Sequence, residues 1–213
     1  MHNGVSDPGA MAGSIRERDE AAYFDALYSA QDDPWRLRSS WYERRKRSLV
    51  CAMLEKERYA NAFEPGCGIG ELTHALATRC DAVLAWDISE QGLAIARRRV
   101  EAPHVRFERN TVPAEWPRGP FDLIVISEFA YYLSPNQQRI LGQLAARSLS
   151  PGGTVLACHW RHPIDDAKTT AAEAHQTIAE ASGLMSVARY DDADVVIELW
   201  SDKTVSAATD PTA

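Results

Sequence analysis

The segment NAFEPGCGIGELTHAL, residues 61–76, restricts the possible folds more than any other stretch of the chain. An apolar run ends at Glu64, glycines follow at alternate positions (Gly66, Gly68, Gly70), and a helical pattern opens near Glu71. A turn this rich in glycine joins a strand to a helix where the backbone takes unusual dihedrals and must come close to a ligand lying across the strand ends. A strand feeding a helix in this way opens a βαβ unit, and such units build parallel sheets.

The remaining sequence repeats that rhythm. Short apolar or β-branched runs at 60–64, 82–86, 105–109, 121–127 and 154–159 are predicted strands, bounded by Gly, Pro, Asp or Ser. Between them lie helical spacings: Leu72, Ala75 and Leu76, then Leu93, Ala96 and Val100, then Ile140, Leu141, Leu144 and Ala145. The Pro151-Gly152-Gly153 triplet is expected to close the last of these helices. A helix over 170–182 leads into strands at 184–190 and 194–200, which form a hairpin about Asp191-Asp192-Ala193. A parallel sheet ending in an antiparallel hairpin follows.

Ahead of the first strand, Tyr23, Phe24, Leu27 and Tyr28 mark one amphipathic helix, and a second runs over about 41–55. The expected layout is a disordered tail over 1–18, a single domain over 19–202 and a second tail over 203–213. Within the domain, 19–56 forms a helical cover and 57–202 a Rossmann-like core.

Charge and cysteine usage narrow the partners. A net charge of −7 over 213 residues, with one short basic run at Arg44–Arg47, argues against nucleic acid, whose phosphates call for a dense basic surface. No run approaches the roughly 18 apolar residues of a membrane span, and the N-terminus lacks a signal-peptide pattern, so a cytoplasmic location is expected. Cys51, Cys67, Cys80 and Cys158 have no zinc-ligand spacing, so no metal is expected. Oligomeric state is left open.

The glycine spacing also selects a ligand class. A dinucleotide fingerprint requires GxGxxG with a pyrophosphate on the helix N-terminus, whereas here the spacing is GxGxG and Glu71 takes the place of the third dinucleotide glycine. Carboxylates at Glu64 and Glu71 favour a cationic ligand without phosphate, and S-adenosylmethionine, a sulfonium nucleoside, is one. Asp87 ends the second strand about twenty residues beyond the glycines, where a ribose-binding acid is expected.

These segments carry a resemblance. ExGCGxG at 64–70, Asp87, FDLIVISE at 121–128 and LSPGG at 149–153 resemble class I S-adenosylmethionine-dependent methyltransferases. DDPWRL (32–37), WYERRK (41–46), EFAYYL (128–133) and HWRHP (159–163) are similar to the NodS-like subfamily, whose namesake N-methylates a deacetylated chitooligosaccharide. The resemblance implies a seven-stranded sheet in order 3-2-1-4-5-7-6 with helices on both faces and S-adenosylhomocysteine as product. It also implies that Glu64 and the backbone of Gly66, Cys67, Gly68 and Gly70 hold the methionyl part, and that Asp87 holds the ribose. The acid that the family carries after strand three is absent from Asn110-Thr111-Val112, leaving Ile88, Thr111 and Val112 to meet the adenine.

Acceptor chemistry falls to the remaining residues. Lys46 lies inside the apolar stripe of the second helix (Tyr42, Leu49, Met53), where it either meets the cofactor carboxylate or snorkels. Glu128, directly after strand four, is the first choice for taking a proton from an amine acceptor, with His159 and His162 behind it, or else it caps a helix or orients the cofactor. Trp35, Tyr132, Trp160 and Arg161 lie on loops suited to an acceptor pocket for an amino sugar or related small molecule. The competing readings are an O-methyltransferase on another acceptor and a non-catalytic adenosyl-binding protein.

Overall fold

A computed structural model describes residues 20–202, so the two stretches expected to be tails lie outside the described residues. The elements in chain order are α1 (Glu20–Ala30), α2 (Trp41–Met53), β1 (Ala62–Pro65), α3 (Glu71–Ala77), β2 (Val83–Asp87), α4 (Glu90–Arg99), β3 (Val105–Arg109), β4 (Phe121–Ser127), α5 (Pro135–Ser148), β5 (Leu149–Trp160), α6 (Ala171–Ser182), β6 (Met185–Asp191) and β7 (Val195–Ser201). A single 3-10 turn, Ala130–Tyr132, sits between β4 and α5. The strands form one sheet in the order β3-β2-β1-β4-β5-β7-β6, as expected. β1 to β5 pair in parallel, while β7 runs antiparallel to both β5 and β6.

Strand periodicity distributes the core. Ala62, Leu123, Val125, Leu156 and Cys158 face a cluster with Val50 of α2, Leu76 of α3 and Leu93 of α4. Their neighbours Phe63, Ile124, Ile126, Val155 and Ala157 face the opposite cluster, with Leu141 of α5 and Ile178 of α6. With helices on both faces, the central strands are apolar at nearly every position, as parallel sheets require. Both α5 and α6 open with a capping box, at Ser134/Gln137 and Thr170/Glu173, which fixes where each helix leaves its loop.

Two expectations differ from the fold. The Pro151-Gly152-Gly153 triplet does not separate α5 from the next strand. It lies inside β5, where Phe121 pairs with Leu149 and Leu123 with Thr154, so the residues between bulge out of the ladder. The most deeply buried residues of α2 are Glu43, Lys46 and Val50, with Tyr42, Leu49 and Met53 only partly buried. A charged network, described below, draws that face inward. Among the described residues no helix is long and apolar enough to cross a membrane.

Candidate active site

The glycine loop, Asp87, the segment after β3, Glu128 and the end of β5 all lie at the carboxyl edge of the sheet, the side on which open α/β folds bind ligands. Gly66 has φ of +73°, and a Cβ there would meet the Phe129 ring at 2.8 Å, so the loop packs directly on the residue after Glu128. Gly68 has φ of +53°, and its Cβ would meet the Tyr28 hydroxyl at 2.9 Å. Both sites require glycine on conformational and steric grounds. The turn is held from below, because Cys67 N donates to Trp86 O (2.9 Å). Gly70 is the N-cap of α3.

Asp87 is buried and accepts from Gly68 N through Oδ2 (2.7 Å) and from Ser89 N through Oδ1 (2.9 Å). A carboxylate has about four lone-pair sites, so acceptor capacity remains on both oxygens. Burial pushes the Asp87 carboxyl up from its ordinary value while these backbone amides oppose. Glu64 is also buried, and its Oε2 has no hydrogen-bond partner. Burial pushes the Glu64 carboxyl up to about 8, the Thr73 hydroxyl opposing and the Asp87 charge adding to the rise. Glu71, by contrast, is compensated by ion pairs to Arg99 (2.8 Å) and Arg47 (3.7 Å). The expectation that it biases the loop toward cations is therefore weakened, since two guanidiniums offset its charge.

After β3, Asn110 N donates to Asp87 O (3.1 Å) and Thr111 N to Glu115 Oε2 (2.7 Å). The carboxylate missing from the Asn110–Val112 segment is thus brought to it by Glu115. Ile88 accepts from Arg109 Nε through its carbonyl (3.0 Å), and Val112 packs on the cluster under α5 and α6.

Glu128 sits in the left-handed region at φ of +60°, a strained conformation for a residue with a Cβ. The end of β5 grips this turn. Glu128 N donates to Cys158 O (3.0 Å), Ala130 N to His159 Nε2 (3.2 Å), and Trp160 N to Glu128 Oε2 (2.9 Å). Tyr131 Oη also donates to Oε2 (2.8 Å). Lys46 donates to Glu128 Oε1 (2.6 Å) and to Glu43 Oε1 (2.9 Å), with its ammonium over the Tyr42 ring. Burial alone would push Lys46 down, but Glu128 and Glu43 outweigh it and hold the ammonium above its ordinary value. The sequence left Lys46 between the cofactor and solvent; here its partners are two carboxylates.

The other expected residues divide. Trp35 and Tyr132 come together through Phe24, at 6.3 and 5.8 Å between ring centroids. Trp160 lies apart from them, edge-on to Tyr42 and against His162. The Tyr42 hydroxyl is buried without a partner. His159 differs from expectation: it is fully buried, with Nε2 on Ala130 N and Nδ1 on His175 Nε2 (2.9 Å), so it faces the fold and is not open to an acceptor. His162 is half exposed and pairs with Asp194 (2.9 Å), and Arg161 turns to Asp191 and the Asp192 carbonyl on the hairpin. Neither is directed at Glu128, because both brace the β6–β7 turn.

Glu43, His175, Glu198 and Glu115 were not singled out from the sequence. For Glu43 a signal existed in its i, i+3 spacing to Lys46. Glu115 is likewise local, four residues from Thr111, whereas His175 and Glu198 join the site only through the fold.

Comparison with known proteins identifies the family. A profile of the Nodulation protein S (NodS) family matches residues 25–186. Nodulation protein S of Rhizobium tropici is 29% identical over 180 residues, 79% of this chain and 75% of that protein. A crystal structure of an inferred methyltransferase from Pseudomonas syringae is 42% identical, covering 76% of this chain and 99% of that one, with a TM-score of 0.68. The N-methyltransferase NodS of Bradyrhizobium japonicum, solved with S-adenosylhomocysteine, shares the fold at 23% identity and a TM-score of 0.72, covering 86% of this chain and 98% of that one. The chain therefore belongs to the NodS family and is an S-adenosylmethionine-dependent methyltransferase.

Proposed function

We propose that the protein methylates an amine nitrogen of a small amino sugar or related molecule, with Glu128 receiving the proton that the ammonium must lose. The observation that carries this reading is the strained Glu128 turn, whose next residue packs on Gly66 of the nucleoside loop. Strain of this kind persists where surrounding structure enforces it, and such sites are commonly functional.

S-adenosylmethionine, when bound, supplies an electrophilic methyl group on a sulfonium. The residues fit that ligand: Glu64 has an unpartnered buried oxygen, Asp87 keeps spare acceptor capacity, and Gly66 and Gly68 leave the loop without side chains. Glu64 and the loop backbone would hold the methionyl part, Asp87 the ribose, and the segment 110–115 the adenine.

An ammonium has no lone pair, so the acceptor nitrogen first gives one proton to Glu128, and in-line displacement then needs alignment and exclusion of water. The freed nitrogen would take the methyl group as the sulfonium departs as a neutral thioether, giving a methylated ammonium. A carboxylate suits an ammonium better than a hydroxyl, whose proton is held far more tightly, and this favours N- over O-transfer. Glu43, Lys46 and Glu128 together carry one excess negative charge, which suits a cationic acceptor. Tyr42, with its unpartnered hydroxyl, and Trp160 offer one wall, and Trp35 and Tyr132 the other. We read residues 19–202 as one domain, with α1 and α2 covering the edge of the sheet.

The test uses the full chain with S-adenosylmethionine and two acceptor sets, glucosamine oligomers with free amines and their N-acetylated forms. S-adenosylhomocysteine accumulates only with the former. Glu128→Gln lowers kcat about a hundredfold while retaining nucleoside affinity. Equal turnover of both sets, or full activity in the variant, rejects the reading.

A further inference from the structure

Behind the Glu128 turn runs a buried chain of polar side chains that the reaction above does not use. Ala130 N lies 3.2 Å from His159 Nε2, His159 Nδ1 lies 2.9 Å from His175 Nε2, and His175 Nδ1 lies 2.8 Å from Glu198 Oε2. Glu198 is held in turn by Arg189 on β6 (2.9 Å). His159 and His175 are both essentially without solvent contact.

The direction of every bond in this chain follows from its two ends. A backbone N–H can only donate, so Nε2 of His159 carries no proton. His159 is kept neutral by burial, with the neighbouring His175 and Lys46 disfavouring its charged form further. Its one proton therefore sits on Nδ1 and is donated to His175 Nε2, which leaves the His175 proton on Nδ1, facing the Glu198 carboxylate. Glu198 can only accept while ionised, and its His175 and Arg189 partners outweigh burial to hold it so. Each buried donor meets one acceptor, and reversing any link sets two donors face to face.

We propose that His175 and Glu198 are positioning residues for methyl transfer: through His159 they fix the Ala130 amide and so hold the left-handed turn that aims Glu128. Three successive residues of β5 grip this turn, and His159 is the only one of them to do so through its side chain. Without an oriented acceptor at His159 the buried Ala130 amide loses its partner, and the strained turn can relax. This inference rests on Glu128 serving the reaction.

The experiment compares His175→Phe, His175→Gln and Glu198→Leu in the full chain. Phenylalanine keeps the packing on Trp200 but ends the chain. Glutamine spans it in the same sense, its oxygen accepting from His159 and its amide donating to Glu198. In His175→Phe and Glu198→Leu, kcat for glucosamine oligomers falls about ten- to a hundredfold, the cost of small misplacements, with KM and S-adenosylhomocysteine affinity unchanged. Exchange of the Ala130 amide with deuterium speeds up about tenfold or more in both. His175→Gln restores kcat and amide protection, which a purely packing role would not require.

Undiminished kcat and protection in His175→Phe overturn the inference, as does a glutamine variant no better than phenylalanine. If Glu128→Gln is active while the His175 variants alter amide exchange, the reading of Glu128 fails. If Glu128→Gln is inactive and His175→Phe is not, the chain has no positioning role.

Discussion

Replacing Lys46 with methionine tests the network around Glu128 most directly. The ammonium lies 2.9 Å from Glu43 and 2.6 Å from Glu128, and the three side chains are 6%, 12% and 24% exposed. At an effective dielectric of about 20 each pair attracts by about 6 kcal/mol, most of which desolvation offsets. Methionine preserves the length and apolar character of the stem but leaves two carboxylates facing each other. Breaking a buried pair this way costs about 3–5 kcal/mol; with Glu128 partly exposed the lower end applies, about 3 kcal/mol. For a domain of this size that is a fall in Tm of about 6–12 °C.

The loss depends on pH in a defined sense. Burial already raises the Glu43 carboxyl above its ordinary value, with Lys46 the strongest opposing group, and deleting Lys46 raises it further. A raised carboxyl contributes stability that is fully present below its ordinary value and is lost as pH rises through the folded value. The deficit of K46M is therefore larger at pH 8 than at pH 5, and a second change, Glu43→Gln, recovers about 1–2 kcal/mol at pH 8. Urea denaturation at both pH values measures it. A variant as stable as the parent at pH 8, or a deficit that does not change with pH, refutes the account of Lys46 as the cation shared by two buried acids.

The nucleoside loop yields four further outcomes. S-adenosylhomocysteine at about 100 times its Kd stabilises the protein by about 2.7 kcal/mol and NAD does not, as a thermal-shift comparison reads. Glu64→Gln weakens S-adenosylhomocysteine about tenfold by calorimetry, the effect of one charge-assisted hydrogen bond. The same variant stabilises the ligand-free chain at pH 9 by about 4–5 kcal/mol, because the Glu64 carboxyl, raised to about 8, loses its contribution as pH rises through that value. Gly68→Ala forces a Cβ to 2.9 Å from the Tyr28 hydroxyl at a φ of +53°; a loss of about 1–2 kcal/mol in stability by urea denaturation is expected, with a variant as stable as the parent as the contrary result.

The parts of the site legible in the sequence were those carried by local pattern. Strand, glycine turn and helix are consecutive, and Asp87 and Glu128 close apolar runs, so their place at the sheet edge follows from chain order. The orientation of His159 was not legible. In β5 every residue from Gly153 to His159 is buried, and a strand covered on both faces shows no alternation from which to tell where one side chain points. Glu43 reads as one charge among several on α2 until the fold sets Glu128 opposite Lys46. His175 and Glu198 lie on α6 and β7, and only the antiparallel return of β7 beside β5 brings them to His159. The bulge at Pro151–Gly153 was missed because the same residues that end helices also interrupt ladders.

These contacts also locate the ligand preference more narrowly than the net charge of −7 does. Of the acids at the carboxyl edge, Glu71 is matched by Arg47 and Arg99, and Glu43 and Glu128 share Lys46. Glu64 and Asp87 form no ion pair with a lysine or arginine among the described residues: Asp87 takes two backbone amides, and Glu64 keeps a buried oxygen free. Burial raises both carboxyls, the Asp87 charge raises Glu64 further, and without a cation they are costly to ionise in the ligand-free fold. A ligand carrying positive charge and N–H donors relieves that cost, whereas a pyrophosphate at the same loop compounds it. Selectivity for a cationic nucleoside over a dinucleotide thus lies in which acids the fold leaves unmatched, and the surface charge elsewhere contributes little to it.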